Sequence, residues 1–206
     1  MATAILNPTV IAYVDQANPN TAMGIGTAFG EANWFIVIGI DGNDISGNHT
    51  PSNGLCRSLI KYDVAGGLPA GVVIDSARLQ KYAFVSGDGA YGNTVLDVRI
   101  APTTFTAGVT WNTQPTVTSS VDAQIYTESA LICAIDVDYT AAVASAYAGS
   151  GLFAVQLIYD GDLTGSGGIL GASYFHAASP ASPPTLTIDY HTAPVGGFAH
   201  SYATII

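Results

Sequence analysis

Four histidines, His49, His176, His191 and His200, are the chain's candidates for a general base near neutral pH. Serine chemistry needs one of them beside a hydroxyl and oriented by a carboxylate. None lies near a Gly-x-Ser-x-Gly elbow, so they read as histidines of loops and sheet faces. Asp136 and Asp138 alternate along one strand pattern, and Asp160 and Asp162 share a loop. Glycosidase carboxylates stand roughly 5–10 Å apart across a cleft, whereas pairs this close in sequence are solvated or hold an ion. No enzyme is expected. Oxygen ligands for a hard cation are dense in Asp41-Gly-Asn-Asp-Ile-Ser-Gly-Asn, where Asp41, Asn43 and Asp44 are the candidate calcium ligands. The stretch lacks the Asp-x-Asp-x-Asp-Gly loop pattern, so turn chemistry is the first reading and a structural calcium ion the second. A glycan site needs an exposed aromatic platform beside amides and carboxylates, and Trp34, Tyr91 and Tyr174 are the candidates, with Tyr13 and Trp111 behind them. Trp111, inside a Thr-Trp-Asn turn, reads as a packing anchor instead.

Strands must position these residues. Arg57-Ser-Leu-Ile-Lys-Tyr-Asp-Val and Ile74-Asp-Ser-Ala-Arg-Leu-Gln-Lys-Tyr-Ala-Phe are β-rich runs joined by a Gly-Gly-x-Pro-x-Gly turn. Further strands are expected over 9–14, 33–40, 94–100, 152–159, 169–175 and 185–190, with one or two more between 121 and 137. In Thr94-Val-Leu-Asp-Val-Arg-Ile, alternation assigns Leu96, Val98 and Ile100 to the core. One short helix is expected over 139–148, where Tyr139, Val143 and Tyr147 recur every four residues and Gly149 stops it.

The 206 residues are 49% hydrophobic and only 10% charged, with 23 Gly and 10 Pro. That fits one antiparallel β-sandwich of jelly-roll type with one short helix, spanning 1–191, since such domains reach about 200–250 residues without dividing. Residues 192–206 follow as an apolar tail in which Val195, Phe198, Tyr202, Ile205 and Ile206 are candidates for assembly contacts, either as an extra edge strand or as an intersubunit arm. Net charge is −10, from 15 acidic and 5 basic residues, and all five cations fall between Arg57 and Arg99. Nucleic acid as a partner is excluded by so few cations. The same charge repels acidic glycans, leaving neutral glycans or proteins as the easier partners. Cys56 and Cys133 show no metal spacing; a disulfide and two buried thiols both fit. No stretch approaches the roughly 20 apolar residues of a membrane span, and Met1-Ala-Thr-Ala-Ile-Leu-Asn-Pro lacks the basic region and apolar run of a secretion signal.

Tyr13-Val-Asp with Asn18-Pro-Asn, Arg57-Ser-Leu-Ile-Lys-Tyr-Asp-Val with Leu-Pro-Ala-Gly and Ile-Asp-Ser-Ala-Arg-Leu, Thr110-Trp-Asn-Thr-Gln-Pro, Asp136-Val-Asp, and Pro183-Pro-Thr-Leu-Thr-Ile-Asp-Tyr occur in that order. In this order and spacing, from about Val10 to Tyr190, the chain resembles the DNRLRE-domain family of disaggregatase-related β-sandwich modules, some of which are carbohydrate-binding modules on alginate-type polysaccharides. Ala172-Ser matches as well, but the chain departs from that family in the Tyr-Phe-His that follows, where the family often has an Arg-Glu pair, at Lys81, in the insert over 41–53 and in the tail after Tyr190. The resemblance implies a β-sandwich and, as one reading of function, polysaccharide recognition.

Two functions are therefore expected of a non-catalytic chain. The first is a structural subunit at a virion or extracellular surface, a decoration, fibre or filament protein that forms homo-oligomers or joins other structural proteins. Under it, Val195 to Ile206 and Met1 to Pro8 are ordered by other chains. The alternative is a carbohydrate-binding module that recognises a polysaccharide.

Overall fold

The computed structural model describes residues 1–16, 18–22, 34–39, 56–84, 94–116, 122–127, 132–159, 171–176 and 184–193. Among them run strands β1 (Ala2–Leu6), β2 (Val10–Asp15), β3 (Trp34–Gly39), β4 (Cys56–Asp63), β5 (Val72–Phe84), β6 (Thr94–Ile100), β7 (Ala123–Thr127), β8 (Ile132–Asp138), β9 (Leu152–Tyr159), β10 (Gly171–His176) and β11 (Thr185–Thr192). A single helical turn, α1 (Val64–Gly67), follows β4, and the longer helix α2 (Thr140–Ala148) follows β8.

One sheet has the order β1-β11-β5-β8, and the other runs β10-β3-β4-β9-β6-β7 with β2 also paired to β4. All these pairings are antiparallel. Alternation along each strand sends one set of side chains into the space between the sheets. Ile60, Tyr62, Val98, Phe153, Val155 and Leu157 from the larger sheet meet Ala77, Leu79, Ile135, Val137, Leu186 and Ile188 from the smaller one. This is the expected all-β sandwich. Tyr62 satisfies its buried hydroxyl by donating to the Pro184 carbonyl at 3.1 Å, as burial requires.

Helix α2 closes one end of the sandwich. Tyr139 N–H donates to Ala77 O at 2.8 Å, and the Thr140 hydroxyl accepts from Ala77 N at 2.9 Å, so the first turn is bolted to β5. Tyr139 and Val143 enter the core and Tyr147 packs against it, which is the face that the four-residue recurrence predicts.

Three expectations change. The link between β4 and β5 is more than a turn: Asp63 caps α1 by accepting from Gly66 N at 2.7 Å. Residues 2–6, expected to be ordered by another chain, instead form β1 and pair with β11 of the same chain, Ala2 opposite Tyr190 and Leu6 opposite Leu186. In β6, Val98 does face the core, but Ile100 is 40% exposed while Asp97 and Arg99 are buried at 0% and 3%. Asp97 and Arg99 are covered by a second apolar layer on the outer face of the larger sheet, formed where the chain after β6 folds back across the strands it has just left.

Candidate functional site

That second layer begins at Ala101, whose N–H donates to Ala154 O of β9 at 2.9 Å. Phe105 and Val109 then sink against Ala12 and Val14 of β2, Leu59 of β4 and Ala154 of β9. Lys61 reinforces the fold-back: its ammonium group donates to Thr103 O at 3.2 Å and to Phe105 O, and lies 4.9 Å from the centre of the Phe105 ring. This cation is a latch that ties loop to sheet.

The layer ends in a short 3₁₀ turn, Trp111–Thr113, entered through Thr110. Thr113 Oγ1 accepts from Thr110 N at 2.9 Å, which closes the turn. Trp111 packs on the edge of the outer layer and is half-buried there, so part of its surface stays open. The Arg57 guanidinium lies 4.5 Å from the Trp111 ring centre, within cation–π range.

Gln114 joins these residues to the sheet. Its Oε1 accepts from Arg57 Nη1 at 3.1 Å and from Gln156 Nε2 at 3.2 Å, and its Nε2 donates to Trp111 O at 3.0 Å. Register explains the convergence. Leu59, Gln156 and Arg99 lie in one row across β4, β9 and β6, and residues paired across strands share a face. Beside Gln156, Arg99 Nη2 donates to Asp97 Oδ2 at 2.6 Å in a buried ion pair. Three of the five basic residues, Arg57, Lys61 and Arg99, therefore serve this outer face despite the net negative charge of the chain.

Residues 18–22 lie at the same corner, because β2 ends at Asp15 opposite Cys56, one residue before Arg57. Asn18 Nδ2 donates to Asp15 Oδ2 at 2.6 Å. Two further bonds tie this loop to the 3₁₀ turn: Asn112 N–H to Pro19 O at 3.1 Å, and Asn112 Nδ2 to Asn20 Oδ1 at 2.8 Å. Chemically, the corner offers a guanidinium and an indole, a glutamine amide held by three hydrogen bonds, and exposed asparagine amides. These are hydrogen-bonding groups carried on the same turn and strands as an aromatic, the group types that orient a ligand in small-molecule sites.

Sequence reasoning favoured other residues. Trp34 and Tyr174 belong to β3 and β10, where Trp34 is opposite His176 and Tyr174 opposite Ile36. Their side chains fall outside the described residues, as do Tyr91, Asp41, Asn43 and Asp44 entirely. The tail residues Val195, Phe198, Tyr202, Ile205 and Ile206 lie outside them too. Cys56 opens β4 in the larger sheet, and Cys133 lies in β8 of the smaller one. Among the described residues, no three His, Cys, Asp or Glu side chains come together to hold a metal ion, and no helix is long and apolar enough to cross a membrane. Arg57, Gln114 and Gln156 went unselected. The available signal was Gln156 itself, the one polar residue in Leu152-Phe-Ala-Val-Gln-Leu-Ile-Tyr.

Residues 2–190 match the model of carbohydrate-binding module family 96. A comparison with curated proteins returns no match. The family match supports the carbohydrate-binding side of the resemblance drawn from sequence, under the name of family 96 rather than that of the DNRLRE domain, and it favours the polysaccharide-binding alternative over a virion or filament subunit.

Proposed function

The chain belongs to carbohydrate-binding module family 96, and from that premise we propose that it is a non-catalytic module that binds a polysaccharide at the Arg57–Trp111–Gln114 corner of the larger sheet's outer face. The observation that carries the placement is Gln114, whose amide is held by Arg57, Gln156 and the Trp111 carbonyl at once. Side chains fixed in this way lose little freedom when a ligand arrives, so more of the contact energy appears as affinity. Arginine presents a rigid planar fork to oxygen ligands, and the face of an indole complements the C–H groups on the apolar face of a sugar ring.

The test is affinity electrophoresis and titration calorimetry against a panel of neutral and acidic soluble polysaccharides, using the wild-type chain, Arg57→Ala and Gln114→Ala. We expect retention by at least one polysaccharide and a loss of about tenfold or more in either variant, each shown to be folded by circular dichroism. Wild-type protein that retains none of the panel, or variants that bind as the wild type does, would overturn the assignment.

A further inference from the structure

We propose that Asn20 and Asn112 form a two-amide clamp that reads a pair of adjacent hydroxyls on the glycan, and so sets which sugar the corner accepts. The inference rests on the polysaccharide-binding reading above.

Both side chains are exposed, they lie on separate loops, and Asn112 Nδ2 donates to Asn20 Oδ1 at 2.8 Å. A tie between the loops does not need this bond, because Asn112 N–H already donates to Pro19 O at 3.1 Å. An amide pair in water adds little stability, since each partner could bond equally well to solvent. What the bond does is orient. It uses one donor of Asn112 and one lone pair of Asn20. Asn112 Oδ1, the second Asn112 N–H and the Asn20 NH₂ group have no other protein partner among the described residues.

Those open valences are a donor set and an acceptor side by side, held in register by the internal bond. A sugar hydroxyl both donates and accepts, so two neighbouring hydroxyls present the complementary pair. Gln114 cannot supply the acceptor of such a pair, because both lone pairs of its Oε1 are taken by Arg57 and Gln156 and one Nε2 hydrogen by the Trp111 carbonyl. The roles divide accordingly. Arg57 and Trp111 supply general affinity, and the neutral asparagine amides select on hydroxyl configuration without regard to ligand charge. Asn112 follows Trp111 directly in the chain, so the clamp and the indole are carried by the same 3₁₀ turn.

The experiment is titration calorimetry of the full chain with the tightest-binding polysaccharide of the panel and with oligosaccharides epimeric at one ring hydroxyl. Wild type, Asn20→Ala, Asn112→Ala, the double variant and Arg57→Ala are compared, with melting curves for each. Expected is a loss of roughly 5- to 30-fold for either single asparagine variant, the worth of one or two hydrogen bonds. The preference between epimers should shrink, and the double variant should lose less than the product of the singles. Asparagine variants with wild-type affinity and epimer preference, while Arg57→Ala loses binding, overturn the clamp and leave the polysaccharide reading standing. Equal weakening toward every sugar together with a lowered melting temperature assigns the pair to loop packing and overturns the clamp as well. A wild-type chain that binds none of the panel removes both.

Discussion

The guanidinium of Arg57 on β4 lies 4.5 Å from the ring centre of Trp111, a residue that reaches the sheet only because the chain after β6 doubles back. One strand side chain thus holds the end of a long connection. Replacing Arg57 with Lys keeps the charge but loses the flat group that stacks on the indole and reaches Gln114. We expect Arg57→Lys to cost about 1 kcal/mol in urea unfolding, with the m-value unchanged. In a Trp34→Phe background, Trp111 fluorescence should become more accessible to acrylamide. Unchanged quenching would mean that Arg57 does not hold the indole.

Asp97 and Arg99 form a buried pair at 2.6 Å beneath the same corner. Removing one partner leaves the other charge buried without its counter-ion, whereas removing both takes the two charges out together. Asp97→Ala should therefore destabilise by about 3 kcal/mol or more, and the double change Asp97→Leu with Arg99→Met should recover a large part of that loss. Additive losses in the two single variants and the pair would contradict a coupled ion pair.

Gly151 links α2 to β9 with φ of +75°, its carbonyl accepts from Val64 and Ala65 N–H at 2.8 and 3.0 Å, and a Cβ placed there would meet the Ala65 Cβ at 2.7 Å. Backbone strain and collision act together. Gly151→Ala should cost about 2 kcal/mol, visible as a lower melting temperature. The comparison is Gly71→Ala, where φ is +76° but a Cβ meets nothing within 4 Å, so strain acts alone and the loss should be smaller. Equal losses would show that the contact with Ala65 is relieved at no cost.

On the outer face of the smaller sheet, Thr3 and Ser76 donate to Asp189 at 2.6 and 2.9 Å, and these hydroxyls hold its carboxyl below the usual carboxylate range. A group with a lowered folded-state pKa stabilises the protein above its unfolded-state value, and that stabilisation is lost as the pH falls through the folded-state value. Stability against urea should therefore decline on acidification below about pH 4, the unfolded carboxylate range. Thr3→Val should make that decline shallower. An identical pH profile in Thr3→Val would rule out Thr3 as a cause.

Much of this was open to sequence reasoning where the pattern was local. The run 152–159 is apolar apart from Gln156, and the recurrence of Tyr139, Val143 and Tyr147 marks the buried side of α2. Strand β1 escaped because Ala-Thr-Ala-Ile-Leu is too short to carry a periodic signal of its own; what makes it a strand is β11, and Thr3 meets Asp189 across 186 positions. The functional corner escaped for a related reason. Asp97 and Arg99 alternate with apolar neighbours as solvent-facing residues do, and nothing in 101–116 has the period of a strand or helix to announce that it will cover them. Gln114 is ordinary in sequence, and only the fold-back brings its amide to both Arg57 and Gln156.

Strand β1 has one more implication. With Ala2 opposite Tyr190, the two ends of the sandwich lie side by side in the smaller sheet, while the Arg57 corner belongs to the outer face of the larger one. Any polypeptide leading into and out of such a unit would enter and leave at neighbouring points, so the unit would hang from its tether as a pendant instead of lengthening it as a bead. The face bearing Arg57 and Trp111 would then point away from the attachment, toward whatever lies in reach of the tether.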